Sequence, residues 1–358
     1  MKKNKIIIVA VVIIILAAFL FMNGYKRGQW YMIDSEGKHI SNIGYDDCKG
    51  CLVIDGKYFF ALSRKNRFNK EKLFIVDNKG KSIMKGNAEK LVVDNIHNLL
   101  SYDGQYIFID SKGKIVYKAP VDKEIVHGTN YFGVVPFYYR DVNTKEENRR
   151  YGYVNMQDEV VVEPKLKKVW PFSKEGLAHV VTEDGKHGFI DTSGNFALQP
   201  IYDFASNFYD GLAQVTIGDK HEYIDTKGQV VLEKEGGDFF EGYTTVINES
   251  GKEAYMDKSG NLITDYSYDK AYSFINGYAI VEVNGLEGVI DKNGDYIIEP
   301  RLSPHVGAFS EEGLNSLKDE NGLYGFINIK GEWQIQPQFE KLYDFHNGVA
   351  VVKEQAKH

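Results

Sequence analysis

A chain of 358 residues in which 43% of side chains are hydrophobic is too apolar for general disorder, and it is long enough for two or three ordinary domains. The formal net charge is −7; five positive charges (Lys2, Lys3, Lys5, Lys26 and Arg27) precede residue 29, and removing them leaves −12 for the remainder. An acidic body of that size excludes general nucleic-acid binding, which needs a basic face to displace counterions.

Lys2, Lys3 and Lys5 precede an apolar run, Ile6 to Met22, of seventeen residues without a polar side chain. This is at the short limit for a membrane span and long for the core of a cleaved signal peptide. No small-x-small cleavage site follows the run, and no Cys lies at its end for lipid attachment. The pattern predicts a cytoplasmic N-terminus (1–5), a transmembrane anchor (6–22) and a linker (23–28), with the remainder exported as a single-pass membrane protein. Secretion after signal cleavage is the alternative. Residues 354–358 read as a disordered tail.

From residue 29 a short phrase recurs: two apolar residues, then Asp or Asn, two intervening residues, and usually Gly. The Asp/Asn positions are Asp34, Asp77, Asp110, Asn155, Asp191, Asp225, Asp257, Asp291 and Asn328. A recurrence every 32 to 45 residues is the signature of a repeat architecture, in which each copy buries its face on its neighbours. Between Gly211 and Tyr243 the reading is a strand over Leu212–Ile217, a turn, a strand over His221–Asp225, a second turn, and a strand over Gln229–Leu232. The Asp carboxylate accepts backbone N–H bonds and Gly takes the left-handed conformation, so each phrase reads as a turn cap and not as a ligand site. Asp158 replaces the Gly in one copy. A connector with Pro, an aromatic–Asp pair and a Phe follows, as in Pro200–Phe204 with Phe208.

Blocks such as Gly176–Phe208 resemble the bacterial WG (KWG) repeat, with Gly152, Gly188, Gly288 and Gly325 in place of the family's dipeptide Gly. The resemblance covers roughly 29–353. It implies an all-β interaction repeat with no assigned chemistry. The expected fold is a tandem array of nine three-stranded antiparallel units. The chain begins in mid-unit, with strands at Trp30–Asp34 and Lys38–Ile43, and ends on a lone first strand at Gly348–Val352. That permutation favours a closed, propeller-like toroid over an open β-solenoid, because the last strand then completes the first unit.

Chemistry is sparse. Cys48 and Cys51, in a connector, are the only cysteines and suggest a small disulfide in an exported chain. Asp291–Asp295 resembles the start of a calcium loop but has Leu302 where the bidentate Glu belongs. No His-x-x-x-His pair, Gly-x-Ser-x-Gly or phosphate loop occurs, so no catalytic, metal or cofactor residue is expected. Two insertions fall at the turn between first and second strands. One spans Ser63 to Lys72 and carries Arg64, Lys65, Arg67, Lys70 and Lys72; the other spans Asp141 to Arg150 and ends in Arg149 and Arg150. Equivalent turns share a rim, so these residues mark an edge for an anionic partner: lipid headgroups, a wall polymer or an acidic protein. The expected function is a membrane-anchored, extracytoplasmic, non-catalytic protein-binding or scaffolding module. A carbohydrate- or wall-binding module is the alternative, and an exported propeller enzyme the third reading.

Overall fold

The computed structural model describes residues 29–40, 43–66, 68–94, 97–129, 131–141, 144–302 and 307–355. The expected anchor (6–22) and Arg67 lie outside these residues. Within them the chain is all-β in a propeller arrangement, with a single 3-10 turn at Glu146–Asn148 as its helix. Among the described residues no helix is long and apolar enough to cross a membrane.

All nine Asp/Asn positions cap turns in the same way. Asp225 Oδ1 accepts the N–H groups of Lys227 and Gln229, each at 2.9 Å, and Asn328 Oδ1 accepts those of Lys330 and Glu332. The same pair of bonds occurs at Asp34, Asp77, Asp110, Asn155, Asp191, Asp257 and Asp291. The resemblance of Asp291–Asp295 to a calcium loop is therefore a turn, its oxygen already taken by backbone donors. Asp158 adopts the left-handed conformation at φ +67° where the other copies have Gly. Its side chain has a further use, accepting hydrogen bonds from Lys123 Nζ at 2.7 Å and Tyr117 OH at 2.8 Å.

The expectation of nine three-stranded sheets needs correcting. Among the described residues the strands form eight sheets, six of them four-stranded. The extra strand is the connector: Phe204–Ala205 pairs with Thr216 and Val215, and Asp47–Ile54 pairs with Lys57–Ser63. Its aromatic–Asp pair fastens it. Asp46, Asp203 and Asp269 accept the backbone N–H of Lys65, Gly218 and Asn284 respectively, at 2.6 to 2.8 Å. One five-stranded sheet holds two copies of the phrase, because Trp333–His346 runs unbroken from one unit into the next. Two of the units whose connector lacks Pro have a third strand reduced to bridges, at Glu253–Tyr268 and Met256–Leu262 in one and at Ile33–His39 and Trp30–Tyr45 in the other.

Closure occurs as the permutation predicts. Trp30–Ile33 pairs antiparallel with Val349–Glu354, from Trp30 opposite Lys353 to Ile33 opposite Ala350. Glu354 is thus in a strand, not in a disordered tail, and its carboxylate meets His39 Nε2 at 2.9 Å. Apolar clusters sit between successive units, and the last joins Phe326 and Phe339 to Ile33, Ala350 and Val352. The connector Phe is the plug in most of them. Phe208 packs on Phe189 at 4.7 Å between ring centroids, Phe274 on Tyr255 at 4.9 Å, and Phe345 on Phe326 at 4.7 Å. Tilted and edge contacts of this kind suit ring quadrupoles.

Pro164, Pro200, Pro300 and Pro337 lie inside the third strands, at a bulge, and not after them, whereas Pro120 does follow its strand, Ile115–Lys118. An outer strand can lose one ladder donor there. The Gly opposite is required by proximity: a Cβ on Gly188 would lie 2.8 Å from Pro200 Cα, and one on Gly325 would lie 2.5 Å from Ile335 O and 2.7 Å from Pro337 N.

Candidate functional site

Antiparallel pairing sends alternate turns to opposite faces of the ring. One face carries the turns between first and second strands together with the connectors. The other carries the Asp-capped turns and the tight turns that precede each first strand.

The insertion at 63–72 belongs to the first face, but most of it is strand. Ser63, Arg64 and Lys65 pair with Leu73, Lys72 and Glu71, and only residues 66–70 turn. Asn66 caps that turn by accepting the N–H groups of Phe68 and Lys70. Arg64, Lys65, Lys70 and Lys72 are exposed, and none of the four makes an ion pair among the described residues. Phe68, at the tip, is 69% exposed. The insertion at 141–150 differs. Arg150 is clamped by the two carboxylate oxygens of Glu183, and Arg149 lies 4.8 Å from the centroid of the Tyr138 ring, with Glu146 at 4.0 Å. The basic rim is therefore the hairpin at 57–76 alone, and Arg149 and Arg150 are spent within the fold.

Cys48 and Cys51 lie in the strand Asp47–Ile54, not in a loose connector, and both thiols are free. Extended backbone holds positions three apart at about 10 Å between Cα atoms, whereas a disulfide needs about 5.5 Å. Cys48 is buried against Trp30, Tyr45 and Phe60, and burial pushes its thiol up to about 12.

On the second face, the tight turns preceding the first strands converge on the opening of the ring. They are tied in sequence around it: Gly211 N–H donates to Glu175, Gly242 N–H to Asp210 and Gly277 N–H to Glu241, at 2.6 to 3.0 Å. Tyr58 stacks on His346 at 4.2 Å between ring centroids. Burial raises the Tyr58 phenol, and the electrostatic fields of Glu311 and Tyr131, from other units, act on it too. Burial lowers His346, against the pull of Asp344, Glu312 and Glu311. A cavity of about 560 Å³ opens here between Glu36, Glu311, Glu312, Asn276, Gln334 and Tyr278, with no cationic side chain in its lining. Tyr278 also bounds a second cavity of about 330 Å³, walled by Tyr272, Ile275, Ile280 and Phe309. Tyr131 and Phe132 stand beside each other, 47% and 45% exposed.

The sequence spacing also missed a histidine pair. His179 and His187 face each other across adjacent strands, Nε2 to Nδ1 at 2.8 Å, with Trp170 stacked on His179 at 4.1 Å. Burial, reinforced by His187, lowers His179 to about 3, so the pair is neutral at physiological pH. Among the described residues no three His, Cys, Asp or Glu side chains are placed to hold a metal ion.

A family model, the WG containing repeat, matches residues 151–186, 188–220, 254–286 and 324–357. No curated protein matches the chain. Similar solved structures include BamB from Moraxella catarrhalis, 11% identical over 82% of this chain and 93% of that one, with a TM-score of 0.40. An uncharacterized protein of Listeria monocytogenes EGD-e is 12% identical over 72% of this chain and 96% of that one, also at 0.40. The WD40 β-propeller domain of Doa1 is 13% identical over 63% of this chain and 87% of that one, at 0.28.

Proposed function

We propose that this chain, a WG-repeat protein, is a non-catalytic protein-interaction module, tethered by residues 6–22 with its ring outside the cytoplasm. The observation that carries the binding role is the position of Tyr278, the common wall of an acidic and an apolar cavity at the mouth of the ring. Glu311 and Glu312 on one side suit a Lys or Arg side chain, while Ile275, Ile280 and Phe309 on the other suit an apolar one. The ligand this describes is a protein segment with adjoining basic and apolar residues, and the polar-rimmed apolar pocket follows the usual anatomy of such sites.

Panning a displayed random-peptide library against the full chain tests this reading. Enriched peptides should pair Lys or Arg with an apolar neighbour, and Glu311→Lys with Glu312→Lys should abolish the enrichment. Acidic peptides, or enrichment indifferent to those substitutions, would remove it. A second reading, binding of a wall polysaccharide, rests on Tyr131 and Phe132, whose exposed rings could stack on sugars. Loss of glycan retention in Tyr131→Ala would favour it.

A further inference from the structure

The strand that begins at Trp30 closes the ring, so its first residue fixes where the chain from residue 28 backwards leaves the body. That point is on the same face as the basic hairpin and beside it. Gln29 O accepts the N–H of Glu354 at 3.3 Å, at the end of the closing strand pair. Trp30 and Tyr45 exchange backbone hydrogen bonds at 2.8 and 2.9 Å. The next residue, Asp46, donates its N–H to Ser63 O at 2.8 Å and accepts the N–H of Lys65 at 2.6 Å. Three backbone steps therefore connect the departing N-terminus to the base of the hairpin.

We infer that this arc of the ring rests on the bilayer that holds the anchor, with Arg64, Lys65, Lys70 and Lys72 against anionic phospholipid headgroups and Phe68 inserted between them. The inference rests on the tether proposed above and adds which face it presents. Residues 23–28 can span at most about 20 Å when fully extended, so a ring tethered at Gln29 cannot turn its opposite face to the membrane. Elsewhere on this face the turns are balanced or acidic: Arg150 is paired with Glu183, while Glu249 and Asp319–Glu320 carry acid. The hairpin is therefore the part of this face with the strongest attraction to an anionic surface. A basic cluster around an exposed aromatic is the composition that interfacial contacts use: charge brings the segment to the headgroups, and the ring buries at their level. An acidic protein would satisfy the four cations as well, but it leaves Phe68 and the adjoining tether without a role.

The test uses the full chain in nanodiscs of phosphatidylcholine with about a third phosphatidylglycerol, the lipid carrying brominated acyl chains that quench tryptophan on contact. Phe68→Trp should add quenchable fluorescence over the parent, and Tyr131→Trp, on the other face, should add none. Each cation near an anionic surface is worth roughly five-fold in local occupancy, so R64E/K65E/K70E/K72E should cut the quenching of Trp at 68 by at least about ten-fold. Matched far-ultraviolet dichroism and melting would show that these surface variants fold. An unquenched probe at 68 in a disc-bound chain overturns the inference while sparing the tether; so does quenching at 131, or quenching at 68 that survives charge reversal. A chain that does not co-migrate with discs sinks the tether and this orientation together.

Discussion

Replacing Asp158 by the glycine found in the other eight copies should destabilise the protein, although it restores the repeat's own pattern. Two effects oppose each other. Glycine relieves a side chain held at φ +67°, worth about 1 kcal/mol. Against that, the carboxylate is the partner of Lys123, whose side chain is only 7% exposed. Without it the ammonium keeps a carbonyl contact at 3.5 Å and the Phe137 ring at 5.6 Å. Stranding one member of a fully buried pair costs about 3–5 kcal/mol. Asp158 itself is 40% exposed, so screening reduces this to about 2–3 kcal/mol. The net is about 1–2 kcal/mol of destabilisation, or a melting temperature lower by about 2–3 °C for a body of this size. Thermal and urea unfolding of D158G, K123M and the double variant would measure it, with a coupling of at least about 1 kcal/mol expected between the two positions. A D158G protein that melts at or above the parent would refute the reasoning.

Gly325→Ala should cost about 1–3 kcal/mol, because its Cβ would meet backbone atoms of the neighbouring strand that cannot swing away. Gly218→Ala, with no atom within 4 Å and φ +60°, should cost about 1 kcal/mol for backbone strain alone; equal melting shifts for the two would contradict the packing argument. Folded His179 titrates near 3 against 6.5 when unfolded, so the unfolded chain takes up the proton first as pH falls. The stability is intact above about 6.5 and erodes toward 3, by about 2 kcal/mol at pH 5. His179→Gln should flatten the pH dependence of urea midpoints between 7 and 5, and an unchanged slope would count against the assignment. Native protein should show no mass change on reduction, and thiol reagents should reach Cys51 before Cys48. A gain of two hydrogens would restore the disulfide.

The turn caps were legible because each uses contacts within five residues, and the two residue types involved have no better local alternative. Closure was legible too, since a lone strand at one end and a missing one at the other match in hydrophobic pattern. The fourth strand was hidden because Phe204–Ala205 contributes only two ladder residues, and its hold depends on Asp203 reaching a turn thirteen to fifteen residues ahead. The Pro–Gly pairing was hidden for the same reason: Gly188 and Pro200 read as separate breakers until two strands place them in contact. In the candidate sites, spacing put Arg64, Lys65, Lys70 and Lys72 at a turn between a first and a second strand, and the hairpin is there. Spacing could not show that Arg150 is absorbed by Glu183, or that Tyr58, Tyr131 and Glu311 share one opening, since those encounters belong to units far apart in the chain.

The pairing of Trp30–Ile33 with Val349–Glu354 also sets a timetable. During synthesis the first strand to emerge waits for the last, with more than three hundred residues made in between. Until then its edge is an open template for any other strand. A ribosome stalled late, or a protease trimming the final strand, would release a molecule with nearly every unit formed and two open edges, Trp30–Ile33 and Trp333–His346, both lacking the strand that belongs between them. Either edge could take up the last strand of an intact copy, so the closing strand decides between a discrete ring and an assembly of copies.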